Sequence, residues 1–310
     1  MNKKQNNLLK CLITMFFLFE FLVDSNRLIT VIFNTINLCF YNLFPSVIVF
    51  FTITDILNNY NFPYFVSKIL GNIFNKIFHI PRESTYIIIM SLTSGFPGNS
   101  KLIKEQLDNK IINSYEATKL LTMTHFSNPL FIIYTVGINY FNDFKIGLII
   151  LIAHFITNFI IGFLFRNIYK TENNNYISKL SKSKNLISLL KDSFLNTTKI
   201  IINILGIVIF FAILTTTLTK YLNLNIFSNT LLTGLIEITT GLKCLSILNL
   251  SKIKAAMLAT FFISFGGFSI HAQVMSILSK YDINYYVYLI ARVLHGAISS
   301  LLVYLMIQLL

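Results

Sequence analysis

Gly95, Asn99, Ser100 and Lys101 stand in the run Ser91-Leu92-Thr93-Ser94-Gly95-Phe96-Pro97-Gly98-Asn99-Ser100-Lys101, between apolar residues and a charged helix reaching Asn109. With Gly95, Pro97 and Gly98 this close together, no α-helix crosses the run unbroken. The helix restarting near Asn99 offers orphan N–H groups and the positive end of its dipole, a place for an anion to which Lys101 would add a full charge. Ser127, Asn128 and Pro129 make a second break, again between apolar runs, and Gly266-Gly267 make a third. Small residues there let two backbones approach closely, which serves a site or ordinary helix packing. His271 and Gln273 follow the third break within reach of the same ligand.

Glu237 lies between Ile236 and Ile238, with Thr240 in the next turn. An ionisable group among apolar residues at membrane depth is a functional candidate. It reads as a proton or cation coupling group, or as a partner of Arg292. Arg292 and His295, three apart, share one face of a helix. Arg292 is either an anion-facing charge or a side chain reaching to the interface. His125 and His154 stand alone and read as packing residues. No His, Cys, Asp or Glu cluster has metal spacing, HExxH is absent, and Cys11, Cys39 and Cys244 form no CxxC pair. Gly267-Phe268-Ser269 near a histidine lacks an orienting acid for hydrolysis. No enzyme, metal or cofactor is expected, and the coupling ion is open.

These residues need elements to hold them, and composition says where those elements lie. Hydrophobic residues make up 55% of the chain and charged residues 12%, with a mean hydropathy of +0.68, which places the chain in a bilayer. The net charge of +13 then reads as topology, with Lys and Arg on the cytoplasmic side, and no nucleic-acid partner is expected. Broken backbone at membrane depth survives only where protein buries it or it lines a wet cavity. Paired broken segments point to a transporter's binding site. The alternative for Gly95 to Ser100 is a tight turn between interfacial helices.

The order of elements follows. Leu8 to Val23 reads as a first helix, and Ser25 to Phe40 and Phe62 to Ile80 as interfacial segments. Leu43 to Leu57 is a short span, Glu83 to Ser94 a half-helix, and Ser114 to Phe141 a helix broken at Ser127-Asn128-Pro129. Phe144 to Ile168 is a long span. After a basic stretch come a span from Lys199 to Leu222 and a half-helix from Ile226 to Gly234. A helix broken at Gly266-Gly267 and a last span from Tyr285 follow.

The expected divisions are 1–42, an N-terminal membrane helix and interfacial segment, 43–169, a first repeat, 170–197, a basic cytoplasmic linker, and 198–310, a second repeat. Gly95 and Gly234, Ala117 and Ala256, and Phe126 and Phe265 each lie 139 residues apart. The expected fold is therefore all-α and polytopic, an integral membrane protein with two inverted repeats. Each repeat carries a re-entrant helical hairpin and a discontinuous transmembrane helix.

The combination Ser94-Gly95-Phe96-Pro97-Gly98-Asn99-Ser100-Lys101-Leu102, Glu116-Ala117-Thr118-Lys119-Leu120-Leu121 and Ser127-Asn128-Pro129-Leu130-Phe131-Ile132 resembles the YlbJ-type sporulation integral membrane proteins. These sit within the wider group carrying a nucleoside-recognition Gate domain. Gly234-Leu235-Ile236-Glu237-Ile238-Thr239-Thr240-Gly241, Phe265-Gly266-Gly267-Phe268-Ser269-Ile270-His271-Ala272-Gln273 and Ala291-Arg292-Val293-Leu294-His295-Gly296 carry the resemblance through the second half. The resemblance implies a fold like the concentrative nucleoside transporters and placement in the mother-cell-derived outer forespore membrane. It also implies transport of dipicolinic acid, a small aromatic dicarboxylate, from mother cell towards forespore. The expected partners are a small anionic substrate, the lipid bilayer, and a second copy or sporulation membrane partners. The alternatives are a non-transporting scaffold of a sporulation complex, or a nucleoside transporter.

Overall fold

The computed structural model describes residues 3–170 and 185–309, and every regular element among them is helical. The stretch 171–184, which holds Lys179, Lys182 and Lys184 of the expected basic linker, lies outside the described residues. α1 (Lys3–Val23) turns Leu18, Phe19 and Leu22 outward. Its buried Glu20 accepts hydrogen bonds from Lys220, at 3.0 Å, and from Tyr221. α2 (Ser25–Leu38) runs through a π-helical turn (Cys39–Leu43) directly into α3 (Phe44–Asn59). The segment expected to lie apart from the next span is thus continuous with it, because no residue between them breaks the helical ladder and Pro45 falls in the first turn of α3.

α4 (Phe62–Phe78) leads to α5 (Thr85–Ser94) and α6 (Gly98–Asp108), the first hairpin. α7 (Ser114–Met123) starts at a capping box in which Asn113 and Glu116 satisfy each other's backbone N–H groups. It stops before residues 124–130, and the chain resumes as a π-helix (Phe131–Tyr140), in which the Phe141 N–H reaches back to the Val136 carbonyl at 3.0 Å. α8 (Phe144–Leu164) follows an Asp143 cap.

α9 (Leu186–Leu222) begins well before the expected Lys199. Its first turns carry Lys191 and Asp192 outward and Leu189, Ser193 and Thr197 inward, a face too polar to read as a span. α10 (Ile226–Ile236) and α11 (Ile238–Ser246) form the second hairpin. Its tip is Glu237 rather than Gly234. Gly234 instead sits inside α10, where a side chain would meet the Phe262 ring at 2.4 Å. α12 (Lys252–Phe265) and α13 (Gly267–Ile277) meet at Gly266, whose φ of +89° only glycine adopts readily. α14 (Tyr285–Gln308) ends the fold.

Among the described residues, four stretches are long and apolar enough to cross a membrane: Phe144–Leu164, Leu186–Leu222, Lys252–Ile277 and Tyr285–Gln308. The chain is an all-α polytopic integral membrane protein. α8 shows how the bilayer inverts the soluble pattern. Phe144, Leu148, Ile152, Ile156 and Ile160 form an exposed stripe, while His154, Thr157 and Asn158 are fully buried. Apolar side chains face lipid, and polar ones face protein that can satisfy them. α14 does the same, burying Tyr288, Arg292, His295 and Ser299 down one face.

Candidate functional site

Two helices are broken, the first at Ser127-Asn128-Pro129 and the second at Gly266-Gly267, and the first hairpin tip lies against the first of these breaks. Gly95 adopts φ +67° and ψ −177°, a conformation essentially reserved for glycine. A Cβ there would stand 2.6 Å from the backbone nitrogen of Asn128. The Phe96 N–H donates to the Phe126 carbonyl at 2.8 Å, joining tip to break. Asn99 is fully buried and its Nδ2 donates to Thr124 Oγ1 at 3.3 Å, while Ser100 Oγ donates to Asn99 Oδ1 at 3.3 Å. Asn128 Oδ1 accepts the Leu130 N–H at 2.8 Å, so this side chain caps the helix that restarts after the break.

The second hairpin tip lies against the second break in the same way. A Cβ on Gly267 would stand 3.3 Å from both the Ile236 carbonyl and the Ile238 nitrogen. Between those residues, the Glu237 carboxylate caps α11. Oε1 accepts the Thr239 N–H at 3.1 Å, and Oε2 accepts Thr239 Oγ1 and the Thr240 N–H, each at 2.7 Å. Thr240 thus contributes its backbone to this cap. Gly266 packs on the other side, where a Cβ would lie 2.6 Å from His125 Nε2.

Both tips, the first break and the start of α13 after the second meet around one cavity of about 40 Å³. Ser94, Ser127, Asn128, Glu237, Thr239 and Gln273 line its polar part, and Phe44, Phe96 and Phe131 stand among its apolar lining. Gln273 is 1% exposed, and its Nε2 has no hydrogen-bond partner. Of the residues singled out from the sequence, the fold brings Ser127, Asn128, Glu237 and Gln273 to this lining. Gly95, Gly266 and Gly267 shape the backbone behind it.

The two cations lie elsewhere. Lys101 pairs with Asp55 of α3, whose other oxygen accepts from Ser193 of α9 at 2.7 Å. Arg292 is fully buried and does not reach the interface. Its guanidinium donates to the Thr122 carbonyl and to His295 Nδ1, at 2.7 Å to the latter. Thr122 belongs to the last turn of α7, so Arg292 satisfies a carbonyl that the break leaves without a helical partner. No ion pair joins Arg292 to Glu237; Thr239 and Thr240 hold that carboxylate instead. His271 turns its Nε2 to the Phe265 carbonyl at 3.0 Å and its Nδ1 to the Tyr285 hydroxyl at 3.2 Å, away from the cavity.

His154 and His125, expected as isolated packing residues, belong to a buried polar network. His154 Nε2 accepts the Ser127 N–H at 2.9 Å, which makes Nδ1 the donor to Ser264 Oγ at 2.8 Å. His154 of α8 thereby fastens the first break to α12. Its ring stacks on His295 at 4.7 Å, and the His154 carbonyl accepts from His295 Nε2 at 3.0 Å. His125 Nδ1 bonds the Tyr288 hydroxyl at 3.0 Å. Sequence reasoning missed these histidines because their partners lie on other helices. Ser94, Thr239 and the phenylalanines of the lining carried no signal beyond proximity to the breaks.

Fold and site together define a polytopic membrane protein whose broken helices enclose a largely apolar cavity with a polar part. The chain is similar to the sporulation integral membrane protein YlbJ of Bacillus subtilis (strain 168), 27% identical over 300 residues that span 85% of this chain and 74% of the relative. No family model matches the chain, and no solved structure matches it.

Proposed function

We propose that the chain is a secondary-type membrane transporter that acts in sporulation and moves a small anionic metabolite, dipicolinate, from mother cell towards forespore. The observation that carries this reading is the meeting of both hairpin tips, the first helix break and the helix that follows the second at one buried cavity, with each tip packed on a break. Interrupted backbone is costly in a membrane, and two such interruptions facing each other serve a ligand that passes between them. α6 and α13 both begin at the breaks without a side-chain cap, which leaves two helix N-termini able to face an anion. Phe44, Phe96 and Phe131 supply faces for an aromatic ring. The relative's name, a sporulation integral membrane protein, supports the process and the membrane.

The reading includes an inverted repeat. α5 and α10 start 141 residues apart, α6 and α11 140, α7 and α12 138, and α8 and α14 141. Hairpin, broken helix and long span therefore recur in one order at nearly one spacing. A cavity of about 40 Å³ holds on the order of one water. A dicarboxylate enters only when a hairpin moves away from its break, as alternating access requires.

The test is uptake of dipicolinate, with uridine as comparison, into vesicles holding the purified protein. Saturable dipicolinate uptake that uridine does not inhibit is the expected result. Uridine uptake alone would keep the fold and replace the substrate. Uptake of neither, by folded protein, would turn the reading towards a membrane scaffold.

A further inference from the structure

Among the described residues, Glu237 is the only ionisable one lining the cavity, and no cation lines it with Glu237. It is 1% exposed, and each of its hydrogen bonds comes from a donor: the Thr239 N–H, the Thr239 hydroxyl and the Thr240 N–H. Cys39 before α3, Tyr140 of the π-helix and Cys244 of α11 are titratable groups that feel its field, and none of the three is a cation. Lys101 is committed to Asp55, and Arg292 to Thr122 and His295. An anionic ligand entering this cavity would therefore meet a bare carboxylate. Two carboxylates sharing one enclosed site cannot both stay ionised.

We infer that Glu237 takes up a proton with each anionic ligand, so that ligand and proton are bound and released together. The inference rests on the anion-transport reading above. The balance is simple: one proton from water joins the Glu237 carboxylate to give a neutral carboxylic acid, and it returns to water when the ligand leaves. The geometry selects the oxygen. Oε2 already accepts two hydrogen bonds and Oε1 only one, so the proton resides on Oε1. The α11 cap survives on Oε2, and Oε1 becomes an O–H donor. The second donor is Gln273, whose buried Nε2 has no partner among the described residues. An acid O–H and an amide N–H then face one carboxylate of the ligand, and the unpartnered amide is satisfied by the same event that neutralises Glu237.

The experiment is titration calorimetry of the purified protein with dipicolinate at pH 7 to 8, in pairs of buffers with different ionisation heats. A dicarboxylate is fully ionised there. Wild-type protein should take up about one proton per ligand bound, and its affinity should fall about tenfold per pH unit over this range. Glu237→Gln, which keeps an acceptor for the cap and offers a permanent N–H donor, should bind with no proton uptake and little pH dependence. Binding by wild type without proton uptake would overturn the coupling and leave the transport reading standing. Persistent uptake in Glu237→Gln would overturn the assignment to this residue. If that variant does not fold, the wild-type proton count decides. A complete lack of binding by wild type would overturn both readings.

Discussion

Gly95 and Asn128 touch across the first hairpin and the first break, so closely that a methyl group on the glycine would lie 2.6 Å from the asparagine's backbone nitrogen. The second half holds the matching contact, Gly267 against the carbonyl of Ile236 and the nitrogen of Ile238. Gly95→Ala must therefore relieve both a Gly-only backbone conformation and an overlap with main chain that cannot turn aside. A cost of about 1–3 kcal/mol is expected from the backbone conformation alone. Thermal unfolding of the purified variant in detergent should show a clear drop in midpoint. An unchanged midpoint would mean that tip and break part easily.

Asn128→Leu should abolish dipicolinate uptake while leaving folded protein. The side chain lines the cavity and caps the restarting helix through Leu130, and loss of such a cap costs about 1 kcal/mol, too little to unfold the chain. Uptake at the wild-type rate would remove Asn128 from the site.

Arg292→Lys should destabilise the protein and change dipicolinate affinity little. A single ammonium cannot reproduce the fork that serves Thr122 and His295 together, and charged hydrogen bonds of this kind contribute about 1.5–3 kcal/mol. Parallel measurement of the unfolding midpoint and of dipicolinate affinity separates the roles. A large loss of affinity at unchanged stability would return Arg292 to the ligand.

His154→Gln should be tolerated far better than His154→Ala. Glutamine can offer its carbonyl oxygen to the Ser127 N–H, whereas alanine leaves that buried donor unsatisfied at a cost of about 1–3 kcal/mol. Unfolding midpoints of both variants decide this, and equal loss in the two would show that the Ser264 contact dominates instead.

Asp108, at the end of α6, accepts hydrogen bonds from Lys104 and from Tyr281 in the α13–α14 connection, and these hold its carboxyl below the usual carboxylate value. Its contribution to stability is present above the unfolded value and is lost as pH falls through the lower folded value. Asp108→Asn should accordingly lower the midpoint slightly at pH 7 and not at all near pH 2. The same difference at both pH values would show that the charge is not the source.

Much of the architecture was legible because glycine and proline report backbone geometry directly. Gly95, Pro97 and Gly98 located the first tip, and Gly266-Gly267 located the second break to the residue. The second tip was displaced by three residues, because the turn there is made by a carboxylate folding onto its own helix rather than by Gly234. The start of α9 was missed for a related reason. Its first turns interleave Lys191, Asp192, Ser193 and Asn196 with apolar residues, so no unbroken apolar run marks them as part of the span.

By itself the sequence determined that the chain is helical, lies in a bilayer and is interrupted at specific points, since composition and backbone chemistry are local properties. Tertiary structure alone decided which charges are available. Lys101 and Arg292 both resemble anion-binding residues in one dimension. Each is occupied by a partner from another helix, Asp55 and the Thr122 carbonyl. His154 became a fastener of the first break, and Glu237 became the cavity's own charge. A buried ionisable group takes its role from the donors and acceptors around it, and in this protein those come from helices far apart in the chain.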